Sequence, residues 1–237
     1  MASAGWRCDW VNEKCEIASA LARGEAGGSY SEAAILICTA LSALAAEVWP
    51  GSNIDRARFV ELLVRFESSP RVSMNISVPL LVQHLETASS KDSKDSNDCA
   101  ALLTKEFLPF SSTRVVTGPE VDKTESELVL ICPVLTPKTV RKFSYACLLY
   151  EQVRSSYAHE YQPGAKADSW PMTMCQGQSV SYVNRLLGAG IPETARLIHF
   201  HIEWLTKLAV DLAGSIDETC ATLPHQEPSS WWIRGES

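Results

Sequence analysis

Between Ala33 and Val48 the chain carries its longest apolar run, interrupted only by Thr39, Ser42 and Glu47. Apolar surface on that scale has to leave water, so any fold open to this chain is built around it. Ser29 or Ser31 is placed to cap its start, Glu32 falls in the first turn, and Pro50-Gly51 stops it after Trp49. The spacing predicts a long helix. Ile35, Leu36, Ile37, Leu41, Leu44 and Val48 supply core, and Ala34, Ala40, Ala43, Ala45 and Ala46 let a second helix approach closely. The run is short for a bilayer span. No basic, apolar, small-residue leader opens the sequence, so the expectation is a soluble, cytoplasmic protein.

The same reasoning predicts helices over 10–23, 55–66, 78–85, 99–107, 137–161 and 202–219. Two β-like stretches, 180–183 and 197–200, flank the turn Gly188-Ala189-Gly190, and a further strand is possible at 128–132. A polar run from Ser89 to Ser96 opens a segment, 89–136, that reads as an insertion into a helical core. The fold class is therefore mainly α: a helical bundle with an insertion and a small β-hairpin-like element before the last helix. Residues 1–223 form a single domain. Residues 224–237, which hold Trp231 and Trp232, read as a flexible tail or one that docks on a partner.

The net charge of −7 excludes a uniformly basic nucleic-acid coat but leaves room for a local basic patch. Cys8, Cys15, Cys38, Cys99, Cys132, Cys147, Cys175 and Cys220 include no C-x-x-C pair. They read as reduced, mostly buried side chains, not as a zinc ribbon or a stapled secreted fold. There is no Gly-rich phosphate loop, G-x-S-x-G or H-E-x-x-H, which leaves kinase, dinucleotide-dependent and zincin chemistry without support.

The segment from Tyr150 to Tyr161 is polar and ionisable where the preceding helix is apolar. Glu151, Ser155 and His159 follow at helical spacing and line one stripe; Tyr150, Arg154, Ala158 and Tyr161 line the next. Arg154 and His159 are five residues apart, roughly 140° around an ideal helix axis. They are not strictly co-facial, and a two-fold partner would complete a site more naturally. The pair suits RNA cleavage without a metal. An imidazole can take the proton of a ribose 2′-OH or protonate the leaving 5′-oxygen, and a guanidinium can grip a charged phosphorane-like transition state. Ser155 could bond the phosphate or fix His159, and Glu151 could pair with Arg154. The R-x-x-x-x-H pattern is weak alone: Arg196 to His201 also matches it, across a strand-to-helix junction.

The stretch Tyr150-Glu151-Gln152-Val153-Arg154-Ser155-Ser156-Tyr157-Ala158-His159-Glu160 resembles the signature of the HEPN superfamily: an Arg, commonly a polar residue such as Asn, three variable positions and a His, late in a helical bundle. Ser155 stands where Asn is commoner. The long Ala-rich helix resembles the family's first core helix. The resemblance implies an all-α bundle acting as a homodimer, with Arg and His of two protomers meeting in a cleft. It also implies a metal-independent endoribonuclease, without cofactor, of the toxin or anti-phage defence type. The alternative it leaves open is a non-catalytic HEPN subunit of a defence or toxin–antitoxin complex. Tyr161 extends the motif to R-x-x-x-x-H-x-Y, a position that family toxins can have modified with AMP; the other reading is an aromatic helix end packed on the core.

Arg141, Lys142, Lys166 and Arg185 are the basic residues nearest the motif in sequence and the expected surface for an RNA backbone. Asp55-Arg56-Ala57-Arg58 is either a phosphate-contacting patch or a helix start with a solvated face. His199, His201 and Glu203 could approach a metal on an extended strand, but they lack a convincing third ligand, and packing is the alternative.

Overall fold

The computed structural model describes residues 5–89, 94–108, 114–169, 175, 177–184, 196–219, 227–228 and 230–234. The chain is mainly helical with a small antiparallel sheet. The apolar run becomes α2, Tyr30–Val48, which starts where Ser29 accepts the Ser31 N–H at 3.1 Å. By length and hydropathy α2 passes as a membrane span, with half of its most apolar window buried in this fold. Ala33, Ala34, Leu41 and Ala45 have no exposed surface. Around α2 pack α1 (Trp6–Ala22), α3 (Asp55–Phe66) and α11 (Ile202–Thr219). Arg7 pairs with both Glu47 and Asp217, which ties α1 to the end of α2 and to α11.

The segment expected as an insertion contributes to the core. Helix α4, Val78–Ser89, pairs with α5, Lys94–Phe107, whose Cys99, Ala100 and Leu103 are buried. Strand β1, Val116–Thr117, adds to the predicted hairpin of β2 (Val180–Asn184) and β3 (Arg196–Phe200), giving the order β1-β2-β3. Val180 lies opposite Phe200 and Tyr182 opposite Ile198, all without exposed surface. After the four-residue helix α6 (Gly118–Val121), the strand expected at 128–132 is instead helix α7, Glu125–Ile131. A capping box decides the matter: Thr124 accepts the Glu127 N–H at 3.3 Å, and the Glu127 carboxylate accepts the Thr124 N–H at 2.8 Å.

Where helix, sheet and α4 meet, Asp122 is buried and accepts three hydrogen bonds. They come from the Tyr145 hydroxyl, from the Tyr182 hydroxyl at 2.6 Å, and from the Val78 N–H at 3.0 Å, the first residue of α4. Burial pushes the Asp122 carboxyl up to about 7, against the lowering effect of those donors.

The end of the described chain departs from a flexible tail. Trp231 is buried edge-on to Trp49, with ring centroids 5.9 Å apart, and Trp232–Arg234 forms a 3₁₀ turn. The Glu61 carboxylate accepts the Trp232 N–H at 2.8 Å. Arg141 donates to the Trp232 carbonyl at 2.8 Å and lies 4.9 Å from the centre of its ring. Burying an indole offsets the entropy of ordering this short segment.

Candidate functional site

The helix expected over 137–161 is two helices. Helix α8, Pro137–Arg141, stops at Lys142–Ser144. There the Ser77 N–H donates to the Phe143 carbonyl at 2.8 Å, and the Tyr145 N–H donates to the Asn75 carbonyl at 3.0 Å. Ser144 then caps a new start by accepting the Cys147 N–H at 3.2 Å. The motif helix that follows has three parts: α9 (Tyr145–Leu148), a π turn (Leu149–Ser155) and α10 (Ser156–Glu160).

The π turn has local causes. Wider winding changes which carbonyls are covered. The Ser156 hydroxyl donates to the Glu151 carbonyl at 3.0 Å, and the Gly164 N–H donates to the Gln152 carbonyl at 2.7 Å. A Cβ at Gly164 would sit 2.4 Å from Gln152 Oε1 and 3.0 Å from Gln152 Cα. A side chain at residue 164 would force Gln152 or the returning chain to shift.

The underwound turn removes the straight Glu151–Ser155–His159 stripe. Glu151 does not pair with Arg154; its carboxylate pairs with Arg56 of α3, across an exposed edge. Arg154 is partly buried. Its Nε donates to the Ser42 hydroxyl of α2 at 3.2 Å, and its guanidinium lies 5.3 Å from the centre of the Tyr150 ring. His159 is exposed in the last turn. Arg154 and Ser155 belong to the π turn, and the α-helical part of the step to His159 begins at Ser156. Among the described residues neither Ser155 nor His159 makes a side-chain hydrogen bond, so the expected Ser155–His159 link is not formed.

Tyr161 ends the helix in the left-handed region, at φ 54. It is 61% exposed, not packed on the core, and its hydroxyl donates to Glu32. Hydrogen bonds from Ser29 and then Tyr161 hold the Glu32 carboxyl down at about 2. The residue that does pack there is Tyr157, buried, with its hydroxyl accepting from Ser31 at 3.3 Å.

The four basic residues expected to face RNA separate. Arg141 is a structural clamp: it pairs with Glu125 at 2.7 Å and holds Trp232, so it offers no free guanidinium. Lys142 is exposed. Lys166 lies over the Phe143 ring at 5.0 Å. His84 also packs on Phe143, and burial, then Lys166 and Lys142, push its pKa down. Arg185 lies outside the described residues.

Lys142 also borders a concave cavity of about 440 Å³. Asn53, Ile54, Arg56 and Ala57 at the start of α3 form one wall. Lys138 and Lys142 of the α8 region form the second, and Ile233 and Arg234 the third. The Asp55–Arg58 patch thus divides: Arg56 faces the cavity, while Arg58 pairs with Asp55 and bonds the Gly51 carbonyl at 3.1 Å. Spacing alone gave no sign of Lys138 or Arg234, because the three walls lie far apart in the chain.

His199 and His201 come together with ring centroids 5.0 Å apart, both buried. His201 shares a hydrogen bond of 2.8 Å with Ser181, and burial pushes His199 down to about 4. Asp168 Oδ2 is 3.8 Å from His199 Nδ1, and Glu203 is exposed. No group of three His, Cys, Asp or Glu side chains suited to a metal ion occurs among the described residues. Arg196, the start of the second R-x-x-x-x-H match, donates to the Arg114 carbonyl at the sheet edge.

No family model, curated protein or solved structure matches this chain.

Proposed function

We propose that this protein is a HEPN-type endoribonuclease that cuts RNA as a homodimer in the cytoplasm, in the manner of a toxin or anti-phage effector. The observation that carries the reading is the exposed, unbonded imidazole of His159 at the end of a helix whose π turn presets Arg154. π turns recur at functional sites because they re-aim side chains that a regular helix would stack. His159 serves as general base for the ribose 2′-OH or as acid for the 5′-oxygen. Arg154 steadies the charge on the scissile phosphate. The angle between them within one chain asks for a second copy, so that Arg154 of one protomer works with His159 of the other. Lys142 and Lys166 supply the backbone contacts. Tyr161, exposed beside the motif, is open to modification.

A second reading, a non-catalytic HEPN subunit, is favoured by one observation: the Arg154 guanidinium is already engaged by Ser42 and Tyr150, turned toward α2. One experiment separates the two. Purified protein is incubated with RNA in excess chelator, alongside His159→Ala and Arg154→Ala. The nuclease reading expects cleavage that both substitutions lower by two or more orders of magnitude, of the size general acid–base catalysis supplies, roughly 10² to 10⁴. His159→Ala cutting as fast as the parent would overturn it. No cleavage by any form, with partner binding lost in Arg154→Ala, supports the second reading.

A further inference from the structure

We propose that the cavity between α3, α8 and the docked C-terminal turn is a binding site for a small organic polyphosphate, the size of a nucleoside di- or triphosphate. The site is distinct from the Arg154–His159 pair and does not depend on the nuclease reading. Its volume, about 440 Å³, lies within the roughly 300–1,000 Å³ typical of small-molecule sites. Four cations line it: Arg56, Lys138, Lys142 and Arg234. Arg56 is paired with Glu151. Among the described residues Lys138, Lys142 and Arg234 have no ion-pair partner, and all three are exposed, in a chain whose net charge is −7. Three exposed cations brought to one concavity from two separate parts of the chain give it a local positive potential that favours an anion.

The remaining lining fits the same ligand. The cavity lies at the N-terminus of α3, a twelve-residue helix whose N-cap, Ile54, supplies no side-chain bond to the first-turn N–H groups. The positive helix end adds to the field of the lysines, while the one first-turn acid, Asp55, is paired with Arg58. Ile54, Ala57 and Ile233 provide an apolar wall that suits the uncharged end of an organic phosphate better than inorganic phosphate alone. The wall made by residues 233–234 is fixed in place, because Glu61, Arg141 and the buried Trp231 anchor the turn that precedes it. A site on rigid elements loses little entropy on binding.

The test is calorimetric titration of the full chain, at low salt and without divalent metal, with inorganic tripolyphosphate, with ATP and GTP, and with a decamer RNA. The double variant Lys138→Ala/Lys142→Ala removes two exposed side chains and leaves the core intact. Lys105→Ala/Lys207→Ala changes the net charge equally, elsewhere on the surface. The expected result is saturable binding of tripolyphosphate and at least one nucleotide. Their affinity falls at least tenfold in Lys138→Ala/Lys142→Ala and is unchanged in Lys105→Ala/Lys207→Ala. Binding that the two double variants weaken equally marks general charge attraction and overturns the proposal. So does an absence of binding, or binding of the RNA decamer alone. RNA cleavage that survives Lys138→Ala, a change outside the proposed RNA surface, while polyphosphate affinity falls separates this site from the proposed nuclease site.

Discussion

Asp122 allows a pH experiment whose sign and size follow from its surroundings. Its carboxyl ionises near 3.8 in an unfolded chain and at about 7 in the fold, because burial opposes the charge. The folded state therefore holds the proton more tightly than the unfolded state. The extra stability is complete below the unfolded value and is lost as pH rises through the folded one. About three units of separation amount to about 4 kcal/mol, of which about 3 kcal/mol should disappear between pH ~4.5 and ~8. Asp122→Asn abolishes the titration and keeps the shape. Its amide oxygen can accept the Val78 N–H, and its amide N–H groups can donate to the Tyr145 and Tyr182 hydroxyl oxygens. Glu32, Glu120 and Glu127 are shifted down by hydrogen bonds and titrate in the opposite sense at lower pH. They are common to both proteins and cancel in the difference. Urea unfolding of parent and Asp122→Asn across this range should show the parent's advantage falling by about 3 kcal/mol toward alkaline pH. A difference constant to within about 1 kcal/mol would refute the claim that burial outweighs the three donors at this carboxylate.

Two further substitutions probe the features that shape the sites. Trp231→Ala should cost about 3–5 kcal/mol in urea unfolding, as for a fully buried large aromatic; a loss below about 1 kcal/mol would show that the turn is not part of the core. Gly164→Ala forces Gln152 or the returning chain to move, at about 1–3 kcal/mol. It should also shift the NMR signals of residues 149–155, whereas unchanged signals would detach the π turn from the Gly164 contact.

The fold was legible wherever one helix face decides the packing. The bounds 55–66 and 202–219 are those observed, and the predicted hairpin strands pair as neighbours. Misreadings came where a distant partner outranks local pattern. The apolar run at 128–132 is the exception, since it gave way to a local signal, the capping box at Thr124. The helix from Pro137 broke because the backbone of residues 75–77 takes up groups at 143 and 145. The docking of residues 231–234 was not readable because its partners, Trp49, Glu61 and Arg141, are distant in sequence. Of the motif residues, helix placement was readable and pairing was not: Glu151 finds Arg56 and Arg154 finds Ser42, both contacts between segments some hundred positions apart. No periodicity encodes such contacts.

The Trp49–Trp231 contact bears on the order in which this molecule can mature. Closing so long a loop comes late and at an entropic cost. During synthesis, helices from the first half can collapse around the alanine-rich segment while the ribosome is still working. The hollow bordered by residues 53–57 and 138–142 lacks its third side until residue 234 has left the exit tunnel. Until then the proposed polyphosphate site has only two of its three walls.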